Sequence, residues 1–343
     1  VQLRFTPVAY DGSMKNRSLR GVVLSATALS FVACSYPDRG HSLERLGADL
    51  GLQTTAEAYD SPKMRLGTMP FDAWYSPLIP LGVDDLGRHT YVAPGVEGDW
   101  GDEASRGTLY AAEAGFLDIA HVRNAIDLTR FCFDRVTACF YHGVDELDIV
   151  AAEPDVYHVT FTPPDAWRGL SERERNDPEV LADVREASIQ IAGRLAYLMT
   201  TWHEVVTAFG YKGLGFVTEK PSAFSYDDAV SHRVGVEAAM RALRHDHNLA
   251  NFDATVTAML HDYLIELAVL PATEVVKRTE QAEGRYWDGS EPTRRIIDLG
   301  MDDQPLTAHI LDNDRLTPWQ WDWPGDSRVG GIASTTCLTS RSN

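Results

Sequence analysis

The sequence predicts a mainly α-helical, α+β protein: a single helix-rich domain with a small amount of β-sheet and a loop-rich N-terminal third. Two long stretches, 116–141 and 177–209, have apolar residues at helical spacing. Alternation typical of a strand is confined to short segments such as Tyr157–Phe161. The 343 residues contain no internal repeat, and 44% of them are hydrophobic and 24% charged, which is the balance of an ordinary globular protein.

The first half of the chain contains few regular elements. Residues 35–107 are rich in glycine, proline and aspartate, which predicts loops and short elements. Residues 108–112 form a predicted short strand. The first long helix spans 116–141, and Gly143 stops it. The strand at 157–161 follows and ends at a pair of prolines.

The second half is predicted to be mostly helical. The second long helix, 177–209, begins with Asp177-Pro178, because proline is favoured in a first turn. Ser225 and Asp228 have the spacing of a capping box and open a third helix that ends near Arg244. A fourth helix runs from Asn251 or Asp253 to Val269, a fifth from Pro271 to Gly284, and an irregular aromatic tail follows from Ser290.

The charge balance excludes one class of function. The chain has 31 Lys and Arg against 50 Asp and Glu, a formal net charge of −19. Such an acidic surface repels phosphate backbones, so we expect no nucleic-acid partner. The 4 cysteines are too few for a disulfide scaffold. Cys132 and Cys139 are about 10.5 Å apart along one predicted helix, so we predict that they are not bridged to each other.

The N-terminal region has the layout of a bacterial secretion signal. Residues 14–33 begin with a basic flank, continue with a short apolar run and end on Ala33. Cys34 follows directly, and 31–34 resembles the lipobox in which this cysteine is acylated. We therefore expect an upstream extension at 1–13, a signal peptide at 14–33, lipidation of Cys34, a tether at 34–59 and a globular domain at 60–335. The alternative is a buried N-terminal helix with a chance cysteine.

These signals predict a location in the bacterial cell envelope. The protein would bind the membrane through its N-terminal lipid, because the apolar run is too short to span a bilayer. If the host is Gram-negative, Ser35 after the acylated cysteine indicates the outer membrane, with the protein facing the periplasm.

The first candidate site lies at the start of the first long helix. Asp118 and His121 are three residues apart and share a helix face. A carboxylate beside a histidine fixes its tautomer and raises its basicity, as a metal ligand or general base requires. The alternative is a helix cap with a surface salt bridge.

The second candidate is the pair His203-Glu204 within the second long helix. A His-Glu pair on a helix is typical of zinc hydrolases, but the metalloprotease pattern needs a second histidine where Thr207 stands. His203 faces partly apolar positions, where an unpaired polar group is costly. The pair therefore has either a function or hydrogen-bond partners in the core.

The third candidate is the loop after the glycines that end this helix. Glu219 and Ser222 are polar and no helix cap explains them, which is a hint of function in a loop. Ser222 lacks the G-x-S-x-G elbow, so the common serine hydrolase arrangement is disfavoured.

Three sequence blocks resemble an uncharacterised family of bacterial envelope lipoproteins that is classed as a domain of unknown function. The blocks are GFLDIAHVRNAIDLT, WHEVVTAFG and EKPSAFSYDDAVSHRVGVEAA, and the resemblance covers roughly residues 60–330. It implies an envelope location and a single domain. It implies no reaction, so the chemistry depends on the residues themselves.

Two functions follow from these candidates. In the first, the protein is a metal-dependent hydrolase of peptidoglycan, lipid or peptide, with zinc as the expected metal. The metal ligands would be His121, His203 and Asp118, and the catalytic residues Glu204, Glu219 and Ser222. In the second, the same residues form a buried polar network that stiffens a structural or binding lipoprotein.

Overall fold

A computed structural model describes most of the region from residue 59 onwards. The described residues are 59–65, 78–94, 106–144, 146–150, 156–161, 171–210, 220, 222–246, 249–288, 291–292, 295, 299–300, 305–313, 315–319 and 336–340. The predicted extension, signal peptide and lipidated Cys34 lie outside these residues, as do Glu219 and all of the tether except Tyr59.

The helices make up most of the described structure. They are α1 Ile119–His142, α2 Glu172–Arg175, α3 Pro178–Ala208, α4 Asp228–His245, α5 Phe252–Glu266 and α6 Ala272–Ala282, with single 3₁₀ turns at Val83–Asp85, Leu249–Asn251 and Leu311–Asn313. Local sequence explains their ends. Asp177 caps α3 by accepting a hydrogen bond from Glu179 N. Gly143 ends α1 in the left-handed conformation, with φ 65°.

The strands are short and form separate small sheets. They are β1 Tyr59–Asp60, β2 Thr108–Ala111, β3 Gly115–Asp118, β4 Glu146–Val150, β5 Val156–Phe161, β6 Trp287–Asp288, β7 Glu291–Pro292, β8 Leu306–Ile310, β9 Arg315–Trp319 and β10 Thr336–Ser340. One sheet has the order β1-β4-β5-β10, with β1 parallel to β4 and the other pairs antiparallel. The pairs β2–β3, β6–β7 and β8–β9 are antiparallel two-stranded sheets.

Helix α1 occupies the centre of the core. It packs against α3 and α4, and α4 also packs against α3 and α5. A close crossing brings α1 and α4 together at Gly235, where a Cβ atom would lie only 2.1 Å from the carbonyl oxygen of Val122. Because no side chain separates the two backbones there, the N-terminal turns of both helices lie side by side.

The predicted fold class is confirmed, since the protein is mainly helical with a few short strands. The first helix begins at Ile119 rather than at 116, because Gly115–Asp118 pairs with β2 in a hairpin. The fourth helix ends at Glu266 rather than at 269, where the chain turns and Ala268 adopts a φ of 55°.

The prediction for Cys132 and Cys139 is also confirmed, since both thiols are free and buried on α1. Burial raises the pKa of the Cys139 thiol to about 12 and that of Cys132 still further, so neither forms a reactive thiolate at neutral pH. Among the described helices, none combines the length and apolar composition needed to cross a membrane.

Candidate metal centre

Three helices bring one side chain each to a common point. His121 comes from the first turn of α1, Glu204 from the C-terminal part of α3, and His232 from the second turn of α4. One potential ligand atom from each of these residues lies within 4.8 Å of the other two. His232 is 1% exposed and Glu204 5% exposed, whereas the side chain of His121 is 18% exposed, so the group is largely but not completely removed from solvent.

His121 is positioned by the cap of its own helix. The Oδ1 atom of Asp118 accepts hydrogen bonds from Ala120 N at 2.7 Å and from His121 N at 3.4 Å, which satisfies two free backbone donors. The Oδ2 atom of Asp118 lies 3.5 Å from Nδ1 of the His121 ring. The opposite ring atom, Nε2, lies 3.9 Å from Glu204 Oε1 and 3.9 Å from Asp228 Oδ1.

Glu204 is held by the turn that precedes α4. Its Oε2 atom accepts a hydrogen bond from Phe224 N at 3.1 Å. Phe224 has a backbone φ of 57°, which residues other than glycine rarely adopt. Such backbone conformations are concentrated at functional sites. The guanidinium of Arg295 donates to the carbonyl oxygen of Ala223 and so fastens the same turn.

The start of α4 supplies a second acidic and a second basic group. Asp228 and His232 are four residues apart and share one face of the helix. The His232 ring packs edge-on against His121, with centroids 5.0 Å apart. Its Nδ1 atom is buried and has no hydrogen-bond partner among the described residues.

The predicted capping box at Ser225 and Asp228 needs a correction. Helix α4 begins at Asp228, with Asp227 as its cap residue. The Ser225 backbone N–H donates to Asp228 Oδ2 at 2.7 Å, as in a capping box, but the Ser225 hydroxyl lies 2.9 Å from Asp228 Oδ1 and within hydrogen-bond distance of Asp227 Oδ1 instead of accepting from the backbone. Because the hydroxyl has a single proton, it donates to one of these two carboxyl groups at a time.

The spacing of the ligand atoms is wider than a bound ion requires. Zinc takes histidine nitrogen at 2.0–2.1 Å, which places two ligand atoms of a tetrahedral site roughly 3.3 Å apart. His121 Nε2 and Glu204 Oε1 are 3.9 Å apart, and the ligand atoms of the whole group lie within 4.8 Å of one another. The three side chains must therefore move closer together to bind an ion.

The two imidazoles have opposite electrostatic environments. Burial lowers the pKa of His121, but the carboxylates of Asp118, Asp228 and Glu204 outweigh it and raise that pKa well above its usual value. Burial and then the charge of His121 lower the pKa of His232 well below its usual value. At neutral pH the metal-free site therefore holds one imidazolium and one neutral imidazole.

The carboxyl groups of Asp227 and Asp228 have pKa values above the usual value of an aspartate. Burial and the neighbouring Glu204 raise the pKa of Asp228 well above its usual value. Burial and the Asp118 carboxylate raise the pKa of Asp227 to about 6. Asp227 and Asp228 therefore resist ionisation, first because they are buried and second because another carboxylate lies close to each of them.

A narrow crevice reaches Glu204 and His232 from outside. Its walls also include Thr201, Phe224 and Leu299, and in this conformation it has no space for a water molecule. The crevice is therefore closed, and its side chains would have to move apart before a ligand could reach Glu204 and His232.

The structure brings only some of the predicted site residues together. It brings His121 and Glu204 together, and Asp118 contacts the far side of the His121 ring. His203 stands outside the three-residue group found among the described residues, although its charge contributes to the low pKa of His232. Consecutive helix residues point about 100° apart, so when Glu204 faces the site His203 faces elsewhere.

Two further predicted residues belong to the loop between α3 and α4. Ser222 is half-buried at the start of the turn that holds Glu204, and its carbonyl oxygen accepts a hydrogen bond from Ser225 N at 3.0 Å. Glu219 lies outside the described residues.

Glu204 was predicted as a catalytic group. The structure supports it instead as a candidate metal ligand, because it belongs to the three-residue group with His121 and His232.

Sequence reasoning missed His232. The signal was the D-x-x-x-H spacing of Asp228 and His232, which puts a carboxylate and an imidazole on one helix face. Capping explained Asp228 locally, and His232 lies within an otherwise ordinary buried stretch of α4. Only the crossing of α4 with α1 shows that this histidine meets another one.

Fold and site together define the class: a helical α+β protein with a buried candidate metal centre of two histidines and one glutamate. The chain belongs to the family described as "Protein of unknown function (DUF4056)", whose model matches residues 63–297. No curated protein and no solved structure matches the chain. The matched range includes His121, Glu204 and His232, as well as all three sequence blocks that predicted an uncharacterised family.

Proposed function

We propose that this protein is a zinc-dependent hydrolase of the bacterial cell envelope, with His121, Glu204 and His232 as the metal ligands. One observation carries the proposal: a buried cluster of carboxylates and imidazoles that contains too little positive charge. Among the described residues, the ion pairs of both Glu204 and Asp228 are formed with a single partner, His121. A divalent cation between these side chains would supply the missing charge.

The energetic argument concerns the cost of burying charge. Each ion removed from water costs several kcal/mol unless it is paired, which is why buried charges are paired or bind metals. Lysine or arginine would be the usual partner in a purely structural network. In a purely structural network, every buried polar atom would also have a hydrogen-bond partner. The buried Nδ1 atom of His232 has none in the described part of the chain.

The residues also fit hydrolytic chemistry. His121, Glu204 and His232 would hold the zinc ion, which would supply Lewis-acid chemistry and an activated water molecule. Asp228 lies on the same side of His121 as Glu204, where its carboxylate could accept a proton. Phe224 N holds Glu204 in place, so the carboxylate does not need to reorganise during the reaction.

The narrow crevice limits how a substrate approaches. Since it has no space for a water molecule in this conformation, its walls would have to open before a scissile bond could reach Glu204 and His232. An extended envelope component such as peptidoglycan, a lipid or a peptide would fit this requirement, because only its scissile bond has to enter. Lipidation of Cys34 would hold the protein at the membrane beside such substrates, and the basic, apolar and small-residue order at 14–33 supports this location.

Metal analysis of the purified protein tests the centre. We expect one zinc ion per chain, measured by plasma mass spectrometry after dialysis, and loss of that zinc in His232→Ala. His261→Ala is the matched control, because His261 is a partly exposed histidine on α5, outside the three-residue group, and its loss should leave the zinc content unchanged. A wild-type protein that holds no stoichiometric divalent metal would rule out the proposed function.

The reaction and the anchor need separate tests. Zinc-loaded protein is incubated with isolated peptidoglycan, phospholipid vesicles and a peptide library, and products are identified by mass spectrometry. We expect cleavage in one of these classes and its loss in Asp228→Asn with zinc retained. If all three stay intact, the hydrolase assignment is wrong. Mass spectrometry of the mature N-terminus should show acylated Cys34, and an unmodified chain that still carries residues 14–33 would exclude lipidation.

A further inference from the structure

The environment of Asp118 is unusual for a helix cap. Its side chain is completely buried, whereas the matching cap of α3, Asp177, is exposed. One oxygen, Oδ1, is used for capping through Ala120 N and His121 N. The other oxygen, Oδ2, lies 3.5 Å from the buried Nδ1 atom of His121. The same carboxylate therefore faces both the helix start and the histidine.

We infer that Asp118 is a positioning residue that holds His121 in the form and orientation in which Nε2 binds the metal. This inference rests on the proposed function. A histidine that binds a metal through one nitrogen needs its proton on the other, and a carboxylate next to that nitrogen keeps it there. Asp118 lies beside Nδ1, while Nε2 points towards Glu204 and Asp228.

A second contact of Asp118 links the two histidine-bearing helices. The Asp118 backbone N–H donates to Ser231 Oγ at 2.9 Å, and the Ser231 hydroxyl donates to the carbonyl oxygen of Asp227 at 2.6 Å. Ser231 directly precedes His232 in α4. The start of α1 is thereby tied to the turn of α4 that carries the second histidine, so backbone and side chain of Asp118 act on the same site.

Asp118→Asn separates the positioning role from the capping role. Asparagine caps helices about as well as aspartate, because its side-chain oxygen can accept the same backbone hydrogen bonds. With that oxygen on Ala120 N and His121 N, the amide NH₂ of the variant would face Nδ1 of His121. A donor at that position forces the proton onto Nε2, which is the nitrogen that must bind the metal.

The test measures zinc affinity by competition with a chromophoric chelator. We expect Asp118→Asn to bind zinc about 10–100-fold more weakly than wild type, the usual effect of removing such a partner. Asp177→Asn is the matched control, since Asp177 also caps a long helix through its carboxylate, at 2.9 Å from Glu179 N, but contacts no site residue. The control should bind zinc as wild type does.

A second measurement follows the His121 ring by NMR in the metal-free protein. The imidazolium of wild type should lose its proton at higher pH than that of Asp118→Asn, and the proton that remains should be on Nδ1 in wild type and on Nε2 in the variant. These differences do not depend on whether zinc is the physiological metal. Equal titration and the same tautomer in both proteins would overturn the inference.

The outcomes separate the two proposals. If wild type binds zinc and Asp118→Asn binds it equally well, the positioning role is wrong and the proposed centre stands. If wild type binds no zinc but the NMR difference is present, the proposed function is wrong and Asp118 still orients His121. A cooperative unfolding transition at the wild-type temperature would show that the variant is folded.

Discussion

The close crossing of α1 and α4 leads to a prediction for Gly235→Ala. A Cβ atom at this position would lie 2.1 Å from the carbonyl oxygen of Val122 and 2.8 Å from the Cβ atom of Ala125. Both atoms belong to rigid parts of α1, so the helices must separate by about 1 Å to reach an ordinary contact. Gly235 lies one turn after His232, and Val122 follows His121, so this separation acts directly on the two histidines.

The magnitude follows from two opposing effects. Alanine favours a helix over glycine by about 1 kcal/mol, which would stabilise the variant. Overpacking in a dense core typically costs about 1–3 kcal/mol and can cost more where backbone must move. We therefore expect a net loss of about 1–2 kcal/mol in the free energy of unfolding, measured by urea denaturation of the metal-free protein. The free energy of zinc binding should fall by more than the free energy of unfolding, because metal–ligand distances must match their ideal values within about 0.2 Å.

Gly193→Ala provides the matched control. Gly193 is also a buried helical glycine, on α3, but there the added Cβ would meet the sulfur of Met240 at 2.5 Å. Methionine is flexible and can move aside, so we expect a change in unfolding free energy below about 1 kcal/mol and unchanged zinc affinity. If Gly235→Ala were as stable as wild type and bound zinc equally well, the close crossing would not determine the geometry of the site.

Three further predictions concern charged side chains in and around the core. Burial and Asp118 raise the pKa of Asp227 from 3.8 to about 6, so between these pH values the folded state retains a proton that the unfolded state loses. The free energy of unfolding of the metal-free protein should therefore fall as the pH rises from 4 to 6. Chemical denaturation should show a smaller fall in Asp227→Asn. Arg65→Met should lower the free energy of unfolding by about 3 kcal/mol in urea, because it removes the guanidinium that contacts Asp127 Oδ2 at 2.8 Å and leaves this buried carboxylate only His89 Nε2 and Val92 N on its other oxygen. Arg295→Met should release the turn that holds Glu204 and weaken zinc binding about tenfold in the chelator assay, with little loss of helical signal by circular dichroism.

Much of the fold could be predicted from the sequence because its helices depend on local signals. Apolar periodicity located α1 and α3, and Asp177-Pro178 located the start of α3 to within one residue. The errors occur where a distant segment competes with the local pattern. Residues 116–118 have helical spacing, but β2 offers them backbone partners, so they become a strand.

The candidate site was only partly predictable for the same reason. Asp118 and His121 are neighbours on one helix turn, so their contact is a local property that three-residue spacing reveals. His203 and Glu204 are adjacent in sequence, and sequence spacing alone does not tell which of them faces the core. The structure shows that Glu204 does, because α3 packs against α1 and α4 with that face.

The sequence by itself determined the helical class, the absence of a bridge between Cys132 and Cys139, and the polar groups near the start of α1. Only the tertiary structure decided that His232 joins His121 and Glu204 in one buried group. These residues are separated by 83 and 28 positions along the chain, and no local pattern relates them. Their meeting depends on the close approach of α1 and α4 at Gly235, which is a property of packing between helices and not of any one helix.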